Sequence, residues 1–355
     1  MQKPFNITVY GAGAIGTTLA AWLTHAGHDV SLLARGENAQ QLKQKSIRIL
    51  NDDKQLLEDT RVRVVEALGA AQDIDLLIVT IKNFHLDACC KNIVDVIGPG
   101  TLVLGLQNGI ENQTILPRYF GRVVYAIINY NAWQSVATKE HNNNTLNWNV
   151  NLNGPILLGA LSPEMLPVAK SLTALFSSFI QCEYSHSFQD HAHAKLVNNL
   201  ANSVTTIIGN SHQEESALAS LQVVLTQLTN EGISILQAAG IKETRAGPLP
   251  PWRVIKLSKL LPAVLTRPIF RRKVALIGST SMASDVIVRG TGESELDTIN
   301  GYLLTLADKH GLDVPYSRGL YQLCRQRFNE QPFRPMTANE LRVLLDEYVL
   351  AEAAI

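Results

Sequence analysis

The short run Ile7-Thr8-Val9-Tyr10 leads straight into Gly11-Ala12-Gly13-Ala14-Ile15-Gly16, and a helical pattern follows over Thr17 to Ala26. A β-branched strand, a glycine turn and a helix, in that order, make the phosphate-binding unit of a dinucleotide fold. Gly11 allows the tight turn. Gly13 lets a pyrophosphate approach the backbone, and Gly16 lets the helix lie close on the strand. The amides at the helix start then face the anion. Ala12, Ala14 and Ile15 complete the loop and join the glycines as candidate cofactor contacts. Without a ligand, the same pattern is a glycine-rich strand-to-helix turn.

The next strand, Asp29-Val30-Ser31-Leu32-Leu33-Ala34-Arg35, bears on the choice of dinucleotide. An NAD site places Asp or Glu at its end to hold the ribose 2′-hydroxyl. Here the strand ends in Arg35-Gly36. A guanidinium pairs with a 2′-phosphate where a carboxylate would repel it. The expected cofactor is NADPH.

At 355 residues the chain is long for one core, and two domains are expected. Its net charge of zero gives no global attraction to nucleic acid or to anionic lipid. No apolar run approaches the ~18 residues that a membrane span needs. The first strand begins by Ile7, which leaves no room for a cleaved signal peptide. The four cysteines, Cys89, Cys90, Cys182 and Cys324, form no CxxC pair. They read as reduced thiols in a cytoplasmic protein.

Strands and helices alternate over residues 1–184. Continuous apolar strands lie at Asp75–Ile81, Thr101–Leu106 and Arg122–Ile128, as in a parallel sheet covered on both faces. The stretches 46–65 and 145–158 read as hairpins at the sheet edge. A helix is expected over Pro163–Ile180, with a last strand at Cys182–Tyr184. Residues 185–355 change to helical periodicity, with helices at Ala192–Ile208, Leu218–Ala239, Glu295–His310, Ser317–Phe328 and Thr337–Ala351. Thr337 and Glu340 make a capping box. The expected class is α/β: an N-terminal Rossmann dinucleotide-binding domain followed by an all-α C-terminal domain. In this arrangement the chemistry belongs to the cleft at the carboxyl ends of the strands.

Two strand ends carry polar groups there, Ile81-Lys82-Asn83 and Gln107-Asn108-Gly109. In the second domain Lys195, Asn199 and Asn202 are spaced i, i+4 and i+7 and share one helix face. That stripe reads equally as a solvated face or as a lining in which Lys donates a proton and the amides hold substrate. Ser294 and Asp297 suit helix capping, which leaves Glu295 without a role. His191 and His193 point to different sides of a helix, so no metal is expected. Residues 244–284 hold eight Lys or Arg and no acid. There Trp252, Ile255, Leu257, Leu260, Leu261, Val264 and Leu265 interleave with Arg253, Lys256 and Lys259. The reading preferred is a surface helix packed on its own domain, with a positive rim for an anionic ligand, over a membrane-binding helix.

Taken together these residues resemble the ketopantoate reductase family. The matches, in family order, are GAGAIG at 11–16, Arg35, Lys82, Gln107-Asn108-Gly109, Lys195-Leu-Val-Asn-Asn199, Ser281-Met282 and Glu295 to Gly301. The resemblance implies NADPH-dependent reduction of a 2-keto acid, 2-dehydropantoate to pantoate, in pantothenate synthesis. It implies Lys195 as general acid and Asn199 and Ser281 as substrate ligands. Asn108 would lie near both nicotinamide and substrate. Lys82, Ala132 and Glu295 would contact the cofactor or organise the site. The family usually carries Asn-Pro where this chain has Ser203-Val204, so Ser203 takes that ligand position, with Asn202 one residue earlier as a substitute. Two extra residues precede Glu295. The alternatives are a reductase of a different keto or imino acid and a non-catalytic NADPH-binding sensor. The oligomeric state is left open, a homodimer included.

Overall fold

The computed structural model describes residues 5–69, 73–135, 144–152, 154–209, 215–244, 250–258, 263–274, 280–290 and 293–352. The chain divides into two compact units, Met1–Phe188 and Gln189–Ile355.

The first unit has twelve strands among its described residues. These are β1 (Asn6–Tyr10), β2 (Asp29–Leu33), β3 (Ser46–Leu50), β4 (Leu56–Thr60), β5 (Arg63–Val65) and β6 (Leu76–Val79). They continue with β7 (Leu102–Gly105), β8 (Arg122–Ile127), β9 (Tyr130–Gln134), β10 (Thr145–Leu152), β11 (Ile156–Gly159) and β12 (Cys182–Tyr184). Its helices are α1 (Ala14–His25), α2 (Gly36–Gln44), α3 (Asn83–Ile97), the short α4 (Asn112–Ile115) and α5 (Leu166–Phe176). Eight strands form the main sheet in the order β12-β11-β8-β7-β6-β1-β2-β5. All neighbours in it are parallel except β11, which runs antiparallel to β8. β6 and β7 are buried along their whole length, which explains their unbroken apolar sequence.

Of the two edge hairpins expected from the sequence, the first forms between β3 and β4 and the second does not. β3 and β4 do pair antiparallel, but they join β10 and β9 in a separate four-stranded sheet, β4-β3-β10-β9. β5 and β11 leave for the main sheet. The cause is α1, whose residues from Gly16 to Leu23 are all buried. An α-helix apolar around its circumference needs cover on more than one side. The main sheet covers one side of α1. The second sheet covers another through Ile47, Ile49, Leu146, Trp148 and Val150, in one core with Leu19, Trp22 and Leu23. Trp22 meets Tyr130 of β9 edge-on at 5.6 Å.

The second unit is helical throughout its described residues. It comprises α6 (Phe188–Ile208, whose first residue belongs to the first unit), α7 (Leu218–Ala238), α8 (Trp252–Ser258), α9 (Ala263–Val274), α10 (Ser281–Ala283), α11 (Tyr302–Lys309), α12 (Pro315–Arg327) and α13 (Ala338–Glu352). Gly232 lets α7 approach α6 closely: a Cβ there would lie 3.0 Å from Leu200 Cδ1. The capping box forms, with Thr337 N donating to Glu340 Oε2 at 2.7 Å and Glu340 N to Thr337 Oγ1 at 3.2 Å. α8 and α9 pack on α7, with Trp252 and Ile255 buried. Val254, Leu257 and Leu265 stay exposed. Lys259, Leu260 and Leu261 lie outside the described residues, as does the side chain of Val264. The helix expected from Glu295 begins instead with π-helical turns at Asp297–Gly301, and a second π-segment spans Ser284–Arg289. Among the described residues no helix is long and apolar enough to cross a membrane.

Candidate functional site

The glycine turn is built by close approach. Gly11 has φ +121°, a region that favours glycine. A Cβ on Gly16 would lie 1.9 Å from the Gly11 carbonyl oxygen, so only glycine lets α1 start this close to β1. Gly13 is different, because a Cβ there would meet nothing within 4 Å. Above Gly13 the backbone is open, while below Gly11 and Gly16 it is packed. Two residues that the sequence reading missed hold the loop. Thr80 Oγ1 lies 2.7 Å from Gly11 O and 3.2 Å from Tyr10 O, so its one proton is shared between them. Asn38 Nδ2 donates to Ala12 O at 3.0 Å. The signal for Thr80 is a hydroxyl closing an otherwise apolar strand.

Arg35 is exposed, at the residue that caps α2. Its Nη2 donates to the Tyr10 hydroxyl at 3.1 Å. Lys82 caps α3, and the neighbouring Asn83 donates through Nδ2 to Asn108 O at 2.5 Å. The two polar strand ends singled out in the sequence are therefore tied together. Gln107 is buried and locks the same corner, donating to Val79 O at 2.9 Å and accepting from Asn112 Nδ2 at 3.1 Å. Ala132 lies on β9 of the second sheet, opposite Val150, and is half-buried against the shared core.

In the second unit Lys195, Asn199 and Asn202 are all half-buried along α6, as their helical spacing requires. Burial pushes the Lys195 ammonium down to about 8, and the nearby Glu295 carboxylate works against that shift. Glu295 is 2% exposed and accepts a hydrogen bond from Ser281 Oγ at 3.1 Å. Ser281 itself is exposed. The Asn199 Nδ2 is a buried donor with no hydrogen-bond partner among the described residues. A cation beside a buried carboxylate, with an unspent amide one turn along, can hold a polar ligand and exchange a proton with it.

Ser203 is not part of this face. It is fully buried, donates to Leu200 O at 2.9 Å and accepts from Asn300 Nδ2 at 3.1 Å. Its hydroxyl is spent in the core rather than on a ligand. Asn300, which the sequence reading did not single out, is its partner across the π-turn. Asp297 does not cap that turn and instead accepts from Tyr321 Oη at 2.7 Å. His193 is also internal, with Nδ1 2.7 Å from Gln189 O and Nε2 2.9 Å from Tyr302 Oη.

Comparison with known proteins places this arrangement. Residues 7–153 match the family described as ketopantoate reductase PanE/ApbA, and residues 187–328 match its C-terminal part. A 2-dehydropantoate 2-reductase of Archaeoglobus fulgidus is 25% identical over 324 residues, 90% of this chain and 97% of that protein. Among solved structures, the PanE/ApbA family ketopantoate reductase of Ralstonia eutropha superposes with a TM-score of 0.67 at 23% identity, covering 96% of this chain and 99% of that one. A ternary complex of D-mandelate dehydrogenase with NADH and anilino(oxo)acetate gives 0.69 at 20% identity, covering 92% and 99%. The family matches span both units, and the chain belongs to the ketopantoate reductase PanE/ApbA family of oxidoreductases.

Proposed function

We propose that this protein reduces a 2-keto acid with NADPH, 2-dehydropantoate being the substrate and pantoate the product. The observation that carries the reading is the Lys195 ammonium, brought by burial into the physiological range beside the buried Glu295. The glycine turn suits a dinucleotide pyrophosphate, because Gly13 is open where Gly11 and Gly16 are packed. Gly11 to Gly16, Arg35, Lys82, Asn108 and Ala132 would hold the cofactor, which supplies two electrons and a hydrogen to the keto carbon when bound. Lys195 Nζ stabilises the charge that builds on the keto oxygen and gives it a proton. Glu295 keeps that ammonium charged despite its burial, and Asn199 Nδ2 offers its unspent donor to the substrate. Asn202, on the same face, substitutes for the ligand position that Ser203 does not fill.

A second reading rests on Ser203 and on the likeness to D-mandelate dehydrogenase. With Ser203 buried in the core, the ligand set differs from the family pattern, and an aryl or other branched 2-keto acid becomes the alternative substrate. Steady-state NADPH oxidation with ketopantoate beside benzoylformate and branched keto acids decides between them. The highest kcat/KM with ketopantoate is expected. No turnover with any keto acid would leave a nucleotide-binding protein without this chemistry.

Cofactor choice has its own test. Removing one charge-assisted phosphate bond costs about 1.5–3 kcal/mol. Arg35→Ala is therefore expected to raise the NADPH Kd at least tenfold, about 1.4 kcal/mol per decade, and to change NADH binding little. Equal losses for both cofactors would refute the assignment. Ser281 behaves differently, since its proton already goes to Glu295. Ser281→Ala is expected to raise KM for the keto acid about threefold to tenfold, because Glu295 beside Lys195 loses the hydrogen bond that orients it. NADPH affinity, read by nucleotide fluorescence, should hold. Loss of NADPH binding with an unchanged KM would move Ser281 to the cofactor.

A further inference from the structure

Tyr10 closes β1 immediately before the glycine turn, and its ring is buried with 7% of its surface exposed. Its hydroxyl oxygen accepts from Arg35 Nη2 at 3.1 Å. The Cys89 side chain on α3 lies near the same hydroxyl. The Arg35–Tyr10 hydrogen bond thus joins the ends of β1 and β2. Burial pushes the Tyr10 phenol up to about 12 and raises the Cys89 thiol as well. Both groups therefore stay protonated near neutral pH.

A guanidinium has five N–H donors in a rigid fork. One of them is spent on Tyr10, and among the described residues the others remain available to a phosphate. An exposed arginine normally loses rotamer freedom when it clamps a ligand. Arg35 is exposed, yet its head is already held from behind by a buried ring.

We propose that Tyr10 is a positioning residue for cofactor choice: it presets the Arg35 guanidinium for a phosphomonoester on the ribose of the dinucleotide. This rests on the NADPH reading above. Tyr10 touches no cofactor atom in this account and acts only through Arg35.

The test is fluorescence titration of NADPH and of NADH against the whole enzyme and its Tyr10→Phe, Cys89→Val and Arg35→Ala variants. Phenylalanine keeps the buried ring and removes only the hydroxyl. Tyr10→Phe is expected to weaken NADPH roughly threefold to tenfold, the cost of ordering one free side chain, with NADH unchanged. Cys89→Val should shift the NADPH/NADH ratio in the same direction by less, and it carries the test should Tyr10→Phe fail to fold. If Arg35→Ala shifts the ratio but neither other variant does, the positioning role is overturned and the NADPH reading stands. An equal loss of both cofactors in Tyr10→Phe assigns the hydroxyl a structural role and also overturns it. A ratio unmoved by Arg35→Ala removes the NADPH reading, and this inference with it.

Discussion

Replacing Lys195 with alanine is expected to lower kcat by roughly 10²–10⁴, the range for loss of a general acid, while NADPH still binds. The parent enzyme carries the matching pH signature. Its acid must be protonated to work, and burial places the Lys195 proton at about 8. The reductive rate should therefore hold below pH 8 and fall as pH rises through it. In Lys195→Ala that alkaline limb should vanish from whatever activity remains. Turnover within a few-fold of the parent, or an unchanged limb, would show that the proton comes from another group. Glu295→Gln offers an independent check. Without the carboxylate the ammonium loses a stabilising charge, so the limb should move to lower pH.

The second large effect belongs to Gly16. An alanine Cβ there would sit 1.9 Å from Gly11 O and 2.6 Å from Thr80 Oγ1. The near partner is backbone, so no side-chain rotation relieves the contact and the turn itself must shift. Overpacking of this kind costs about 1–3 kcal/mol of stability. Binding should suffer more, because the amides that face the pyrophosphate move with the turn. Gly16→Ala is expected to raise the dinucleotide Kd by about 10²-fold or more, near 3 kcal/mol, for NADPH and NADH alike. Gly13→Ala is the control, since its Cβ meets no protein atom and strains nothing until a ligand approaches. Its melting temperature should stay at the parent value while its cofactor affinity falls. A Gly16→Ala enzyme that binds NADPH normally would remove the turn from the cofactor site.

What the sequence made legible was local. The strand-turn-helix at Ile7–Ala26 needs only neighbouring residues to be read, and the structure builds it as β1, the turn and α1. The apolar runs of β6 and β7 and the helical periodicity after residue 185 are likewise properties of single segments. The second sheet was not legible, because its central pairing joins β3 to β10 in parallel, two strands far apart in the chain. Nothing in 46–65 or 145–158 alone distinguishes a hairpin from a half of that sheet. In the candidate site the stripe of Lys195, Asn199 and Asn202 followed from helix spacing. The burial of Ser203 did not, since it depends on Asn300 reaching it across a π-turn that has no simple sequence period. Thr80, Asn38 and Tyr10 were passed over for the same reason: each acts on a turn from an element outside it.

The sandwiching of α1 bears on how the chain is made. The glycine turn and α1 leave the ribosome well before Thr145–Leu152, so their outer cover is not complete until that strand has been synthesised and has paired beside Ser46–Leu50. Until then a helix that is apolar all round has one side bare. Non-local pairings of this kind slow folding and leave apolar surface open to aggregation. The glycine turn is thus written long before it is secured. Changes on the α1-facing side of the second sheet, such as at Ile47 or Trp148, should show first as loss of soluble yield during synthesis rather than as loss of catalytic rate.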